Sequence, residues 1–304
     1  MFDIIVIGGG VSGMTSALYA LRNGKKVLLI EGESIGGQIA QSPRVENYPT
    51  HKEISGAKLS EDLFEQISSL GVEFEFDAIE TVEKSGDVFI VKGEFGTYQS
   101  KSLIIANGVK HRKLRLPNED KFVGHGVYYC AICDGPFYEG KEVTLIGDGN
   151  TALQYALLLS NICSKVNLVI MFDHFFGDDN LVKAVEARKN IEIIKNSKTI
   201  ELIGDDALES IKFEKSDKTV FEISGTPLFV AIGQVPDNRK FENLADLDES
   251  GYFYSDETTS TRTPGLFVAG DTRRKLVRQV TTAIGDGAVA ATQACNYLNA
   301  LNVK

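Results

Sequence analysis

Two cysteines separated by two residues and followed at once by an acid are the first groups here whose types and spacing suggest chemistry: Cys130-Ala131-Ile132-Cys133-Asp134-Gly135. The spacing suits an intrachain disulfide, a pair of zinc ligands or two buried thiols. A zinc site needs about four ligands, and the other candidates, Cys163, Cys295, His51, His111, His125 and His174, do not cluster along the chain. Asp134 puts a carboxyl group where the protons of disulfide exchange must move. Tyr128, Tyr129 and Phe137 flank the pair and can help exclude water. These features favour a redox-active disulfide, with Cys163 and Cys295 left to core packing.

A second group is Gly8-Gly9-Gly10-Val11-Ser12-Gly13. Gly8, Gly10 and Gly13 form a G-x-G-x-x-G frame, which allows a tight turn, close approach of a pyrophosphate to backbone N–H groups, and close helix–strand packing. A helix N-terminus there adds partial positive charge. Glu31 ends the next apolar run and is placed to accept hydrogen bonds from a ribose.

Both groups need elements to hold them. Residues 2–7 are apolar and β-branched and predict a strand entering the glycine turn, with a helix over 14–23 and a second strand over 26–31. The pattern recurs as a strand over 142–146, a G-x-G-x-x-A turn from Gly147 to Ala152, a helix over 152–162 and a strand over 166–171. Between the two units, 72–98 alternates as a β-meander with a turn at Ser85-Gly86-Asp87. Further strands are predicted at 219–223, 228–232 and 266–269, the last leading into Gly270-Asp271, with a helix from near Arg278. The fold class is therefore α/β, with two Rossmann-like, three-layer ββα units.

Composition agrees. A chain of 304 residues, 43% hydrophobic and 24% charged, has room for two cores, and its net charge of −10 disfavours binding to nucleic acid. Four cysteines are too few for a disulfide scaffold. No apolar run approaches membrane-spanning length, and Met1 runs directly into the first strand, so a soluble cytoplasmic protein is expected.

The features above, with Gly36-Gly37-Gln38, Glu46-Asn47-Tyr48-Pro49, Ala231-Ile232-Gly233, Pro264 to Asp271, Lys275-Leu276-Val277-Arg278-Gln279 and Gly285-Asp286-Gly287, resemble the low-molecular-weight thioredoxin reductase family of flavoproteins. The resemblance implies a homodimer, with an FAD-binding domain over 1–112 plus 243–304 and a smaller inserted domain over 113–242. It implies FAD contacts at Gly8, Gly10, Ser12, Gly13, Glu31, Gly37, Gln38, Asn47, Val82, Asp271, Arg278, Gln279 and Val280. It makes Cys133 the flavin-side sulfur, Cys130 the thiol that attacks the disulfide of thioredoxin, and Asp134 the acid/base. Ala106-Asn107-Gly108 departs from the Ala-Thr-Gly usual in these flavoproteins.

A larger departure lies at the nicotinamide site. NADPH-using members carry His-Arg-Arg at the end of the strand after the second glycine turn, with another Arg beyond it; here the triplet is Ile170-Met171-Phe172 and the later position is Phe176. Charge-assisted hydrogen bonds contribute about 1.5–3 kcal/mol each, so their loss costs orders of magnitude in affinity for a 2′-phosphate. Asp148 inside the turn further opposes a pyrophosphate, and Asp173 lies beyond the position that would meet a ribose. The apolar residues are expected to be core or to fill the vacated cleft, with a partner-docking surface as the second reading.

This pattern resembles the ferredoxin-dependent flavin thioredoxin reductases, in which reduced ferredoxin supplies electrons that pass through FAD and the Cys130–Cys133 pair to thioredoxin. Alternatives are an FAD-dependent dithiol oxidase using oxygen, an NADH-dependent thioredoxin reductase, and a flavin-binding redox sensor. Lys110-His111-Arg112-Lys113-Leu114-Arg115 is either a basic patch that steers an acidic partner or a solvated linker.

Overall fold

Strand β1 (Phe2–Ile7) is apolar on both faces because both are covered, the expected pattern for a strand inside a parallel sheet. Ile4 and Val6 enter one core with Val27, Leu29 and Ile104, while Ile5 and Ile7 enter a second with Leu28, Ile30, Leu103 and Ile105. The computed structural model describes residues 1–42 and 44–301. Elements are numbered in chain order.

The chain divides into two units, Met1–Lys110 together with the chain from Val235 on, and His111–Gln234 between them. The sequence places these junctions at 112/113 and 242/243. The second moves upstream because Asn238 is fully buried on the carbonyls of Gly251 and Thr272, and Phe241 packs against Phe253 in a core of the first unit. Two short strands, β7 (Lys110–His111) and β16 (Gln234–Val235), lie at the junctions.

The first unit holds β1, β2 (Val27–Glu31), β3 (Glu73–Phe76), β4 (Ile79–Ser85), β5 (Val88–Gly93), β6 (Thr97–Ile105) and β17 (Leu266–Val268) in one seven-stranded sheet. Its order is β3-β2-β1-β6-β5-β4, with β17 also pairing β6. β1, β2, β3, β6 and β17 are joined by parallel pairings, and β4, β5 and β6 form the antiparallel meander. Helices α1 (Val11–Arg22), α2 (Gly56–Ser69) and α7 (Val280–Leu301) belong to this unit. α1 and α7 approach closely: the Ser16 hydroxyl donates to the Gly287 carbonyl, and a Cβ at Gly287 would meet the Ser12 carbonyl oxygen at 2.3 Å.

The second unit repeats the plan. β9 (Glu142–Ile146), β10 (Lys165–Val169), β11 (Ile191–Ile194), β15 (Leu228–Val230) and β8 (Val127–Tyr128) form a parallel sheet in the order β11-β10-β9-β15-β8. β12 (Ser197–Ile203), β13 (Ser210–Lys215) and β14 (Val220–Ser224) make an antiparallel sheet. Its helices are α3 (Glu119–Phe122), α4 (Ala131–Asp134), α5 (Asn150–Ile162) and α6 (Asp179–Glu186). Cys163 and Cys295 are buried free thiols, in the core behind α5 and in the core under α7. No described helix is long and apolar enough to cross a membrane.

Candidate functional site

In the first unit the glycine turn leaves β1 with Gly8 at φ +110°, where a Cβ would meet the Ala106 carbonyl oxygen at 2.3 Å. At Gly13 a Cβ would lie 1.8 Å from the Gly8 carbonyl oxygen, so this close turn is built for glycine. Gly10 is the N-cap of α1 and has no side chain with which to cap it, leaving its first N–H groups to a ligand. Gly36 donates its N–H to the Gly9 carbonyl and pairs with Gly10, and a Cβ at Gly37 would lie 3.3 Å from Gly10 Cα. Glu31 is fixed by the N–H groups of Gly9 (2.6 Å), Glu33 (2.7 Å) and Ser34 (3.3 Å).

Residues far apart in the chain meet around this turn. Asn47 donates to Gln279 Oε1 at 3.1 Å, and Gln38 donates to the Val109 carbonyl. Arg278 donates to the carbonyls of Asp271 and Arg273 and stacks on Tyr252 at 4.2 Å, fixing the approach to Val280, the first residue of α7. Asp271 is buried, which raises its pKa to about 6 against the opposing pull of Lys275 and Arg278. Its Oδ1 and the Ser12 hydroxyl are enclosed and no described residue hydrogen-bonds to either, the Lys275 ammonium lying 3.9 Å from that Oδ1. Two enclosed polar groups at the carboxyl ends of β17 and β1 suit a polyhydroxylated ligand. Val82 stands apart from this group: it is a core residue of β4, and its carbonyl accepts from Asn243.

Sequence reading understated Asp286. It accepts from the Gly270 N–H (3.1 Å), Arg273 (2.7 Å) and Lys275 (2.9 Å), and so holds the Gly270-Asp271 turn. The Gly285-Asp286-Gly287 signature was the available signal.

In the second unit Cys130 and Cys133 are joined as a disulfide across the single turn of α4, with Cα atoms 5.3 Å apart. The pairing settles which of the three chemistries open to this spacing the chain adopts. Cys130 Sγ accepts the Cys133 N–H at 3.2 Å. Asp134 is buried, its Oδ1 is bonded by no described residue, and desolvation raises its pKa to about 7. A carboxyl group titrating near neutrality can act as acid or base. Burial raises the phenol pKa values of Tyr138 and Tyr155, and the Asp134 charge adds to both, a neighbourhood with no sequence signature. Tyr138 donates to the Tyr128 hydroxyl at 2.6 Å, whereas Tyr129 turns away to Glu119 and stacks on His111.

The second glycine turn repeats the backbone arrangement of the first, with Phe176 in the place of Gly36. Phe176 donates its N–H to the Asp148 carbonyl at 2.8 Å and pairs with Gly149 as an isolated parallel bridge. Asn150, the first residue of α5, accepts the Asp178 N–H (2.7 Å) and donates to the Asp178 carboxylate (3.2 Å). Gly177 fits so closely that a Cβ would lie 2.4 Å from Leu153 Cδ1. Of the residues expected to form core, Phe175 does so in part, packing against the core that holds Ile170. The expectation fails for Met171, Phe172 and Phe176, which are 53%, 43% and 60% exposed. The cause is local: β10 ends at Val169, and the following turn carries these side chains outward. Phe172, His174 and Phe176 then cluster, with ring centroids 4.6–6.2 Å apart.

The basic run is partly paired, with Arg112 and Arg115 exposed. Lys110 pairs with Glu33, Lys113 pairs with Asp120, and burial pushes the His111 pKa down to about 4.

The profile of the pyridine nucleotide-disulphide oxidoreductases matches residues 2–287. The chain belongs to that family. It is 37% identical over 302 residues to the "34.2 kDa protein in rubredoxin operon" of Clostridium pasteurianum, covering 97% of each chain. It is 37% identical to the thioredoxin reductase of Peptoclostridium acidaminophilum, covering 99% of this chain and 98% of the other. The crystal structure of thioredoxin reductase from Streptococcus pyogenes superposes with a TM-score of 0.94 at 33% identity, over 99% of both chains. The cofactor of these proteins is FAD, which the enclosed Ser12 and Asp271 groups and the uncapped α1 turn fit.

Proposed function

We propose that the chain is a flavoprotein disulfide reductase that passes electrons from reduced ferredoxin, through FAD and the Cys130–Cys133 pair, to the disulfide of thioredoxin. The observation that carries the choice of donor is the side chains beside the second glycine turn, where Met171, Phe172 and Phe176 are exposed in place of cations. A nicotinamide dinucleotide would have to compete with the Asp178 carboxylate for Asn150 at the start of α5. It would then bring its pyrophosphate among Asp148, Asp178 and Asp179, with apolar groups in place of the arginines that hold a 2′-phosphate. Relatives named thioredoxin reductase support the acceptor.

FAD supplies, when bound, a centre that takes electrons singly or in pairs, which joins a one-electron donor to a two-electron disulfide. The residues that would hold it are Gly8, Gly10 and Gly13 at the pyrophosphate, Glu31 at the ribose, and Ser12 and Asp271 at hydroxyls. Gly37, Gln38, Asn47, Arg278, Gln279 and Val280 would complete the surround. Cys133 receives the electron pair as its bond to Cys130 breaks, and Asp134 delivers one of the two protons. Cys130, as thiolate, then attacks the thioredoxin disulfide. Cys133 resolves the mixed disulfide, which releases thioredoxin dithiol and restores the Cys130–Cys133 bond.

The balance fixes a test. Under anaerobic conditions with photoreduced ferredoxin, two ferredoxins should be oxidised for each thioredoxin disulfide reduced, as counted by visible absorbance and thiol titration. Thiol release with NADPH replacing ferredoxin, at a comparable rate, would overturn the choice of donor. Oxygen uptake with dithiol substrates, and no thioredoxin reduction, would overturn the direction of electron flow.

A further inference from the structure

We infer that Asn107 is a cofactor-binding residue in this chain, its side-chain carbonyl accepting a hydrogen bond from an N–H or O–H group of the flavin or its ribityl chain. This rests on FAD occupying the first unit. The inference starts from the Asn107 amide, whose orientation is fixed by its partners. Nδ2 donates to the Asp237 carbonyl (3.2 Å) and to Asn238 Oδ1 (3.1 Å), both acceptors only. Asn238 is itself oriented without ambiguity: its Nδ2 donates to the carbonyls of Gly251 and Thr272, and its Oδ1 accepts from the Thr272 hydroxyl at 2.8 Å. Turning Asn107 over would set oxygen against oxygen, so Oδ1 is held on the other side of the amide plane. There it is closed off from solvent, and no described residue donates to it.

Its place in the fold identifies the donor. Among the described residues four enclosed side-chain atoms lack a hydrogen-bond partner: Ser12 Oγ, Asn107 Oδ1, Asp134 Oδ1 and Asp271 Oδ1. Asp134 sits beside the disulfide. The other three follow the carboxyl ends of β1, β6 and β17, parallel strands paired as β1–β6 and β6–β17. β1 is also the switch point of the sheet, flanked by β2 on one side and β6 on the other, where ligands of such sheets bind. Ser12 and Asp271 already line that crevice, and Ser12 lies against Gly270, since a Cβ there would meet its Oγ at 3.0 Å. Asn107 lies against the glycine turn itself, its Cα 3.0 Å from where a Cβ on Gly8 would stand. Three adjacent strand ends thus each present one polar atom without a hydrogen bond, and an enclosed carbonyl requires a donor. A threonine at this position could not bond both Asp237 and Asn238 and also offer a carbonyl to the crevice.

The test uses the holoenzyme. In the Asn107→Ala variant, release of FAD on dilution, followed by flavin fluorescence, should show a dissociation constant raised about five- to tenfold, the loss of one neutral hydrogen bond. Thr272→Val removes a donor from the same network without touching Asn107 Oδ1, and should leave the constant within about twofold. A shifted flavin absorption band in Asn107→Ala locates the donor on the ring; weakened binding with an unshifted band locates it on the ribityl chain. Should Asn107→Ala not fold, Asn107→Thr carries the same comparison, with the same rise expected because the carbonyl is lost. Unchanged FAD affinity and spectrum, or equal weakening in Thr272→Val, would overturn the inference.

Discussion

The Cys133→Ser variant loses thioredoxin reduction by at least about three orders of magnitude, stays folded and yellow, and accumulates a covalent complex with thioredoxin; Cys130→Ser loses the same activity and traps nothing. Both outcomes follow from the chemistry of the pair. The two sulfurs form one bond across the single turn of α4, so neither can be replaced without removing the redox centre. In Cys133→Ser the Cys130 thiolate still attacks, but the mixed disulfide lacks its resolving thiol. The residues proposed to hold FAD, Gly8–Gly13 and Asp271, lie in the other unit, so cofactor retention should be unaffected. Non-reducing gels and the ratio of flavin to protein absorbance read both effects. A trapped complex with Cys130→Ser and none with Cys133→Ser would reverse the roles of the two sulfurs.

Asp134→Asn should lower turnover by roughly 10²–10³-fold, within the range of general acid–base catalysis. Burial raises the native pKa from 3.8 to about 7, so near neutrality Asp134 is present both as the acid that protonates a leaving thiolate and as the base that deprotonates Cys130. The wild-type profile should therefore bend near pH 7, and the variant should lose that bend. The same shift has a stability consequence with a definite sign. The native state holds this proton more tightly than the unfolded chain does. The stabilisation is complete below pH 3.8, is lost as pH rises through about 7, and amounts to on the order of 4 kcal/mol over that window. Melting temperature should fall from pH 5 to pH 8 in the wild type more steeply than in Asp134→Asn. An unchanged pH profile in the variant would remove Asp134 from the acid/base role.

Much of this arrangement is legible in the residues. Both glycine turns and the strands feeding them are local, short-range patterns, and the C-x-x-C-Asp run names its own chemistry. What periodicity misses is set by distant contacts. Ile170-Met171-Phe172 reads as a continuous apolar run, but β10 stops at Val169 and the chain turns out to lay Phe176 to Asp178 over the start of α5. Hydrophobicity alone cannot distinguish a strand's last buried residue from its first exposed one. The second junction falls before Val235 because Asn238 and Phe241 are buried against residues late in the chain. The Asn47–Gln279 pair and the tyrosines facing Asp134 likewise join positions that no spacing rule connects.

The central claim is that the second glycine turn no longer serves a nicotinamide. The direct measurement is anaerobic titration of the oxidised holoenzyme with NADPH, NADH and photoreduced ferredoxin, following flavin absorbance. The account predicts bleaching by ferredoxin and an unchanged spectrum with either nicotinamide at millimolar concentration. Rapid bleaching by NADPH or NADH would contradict it.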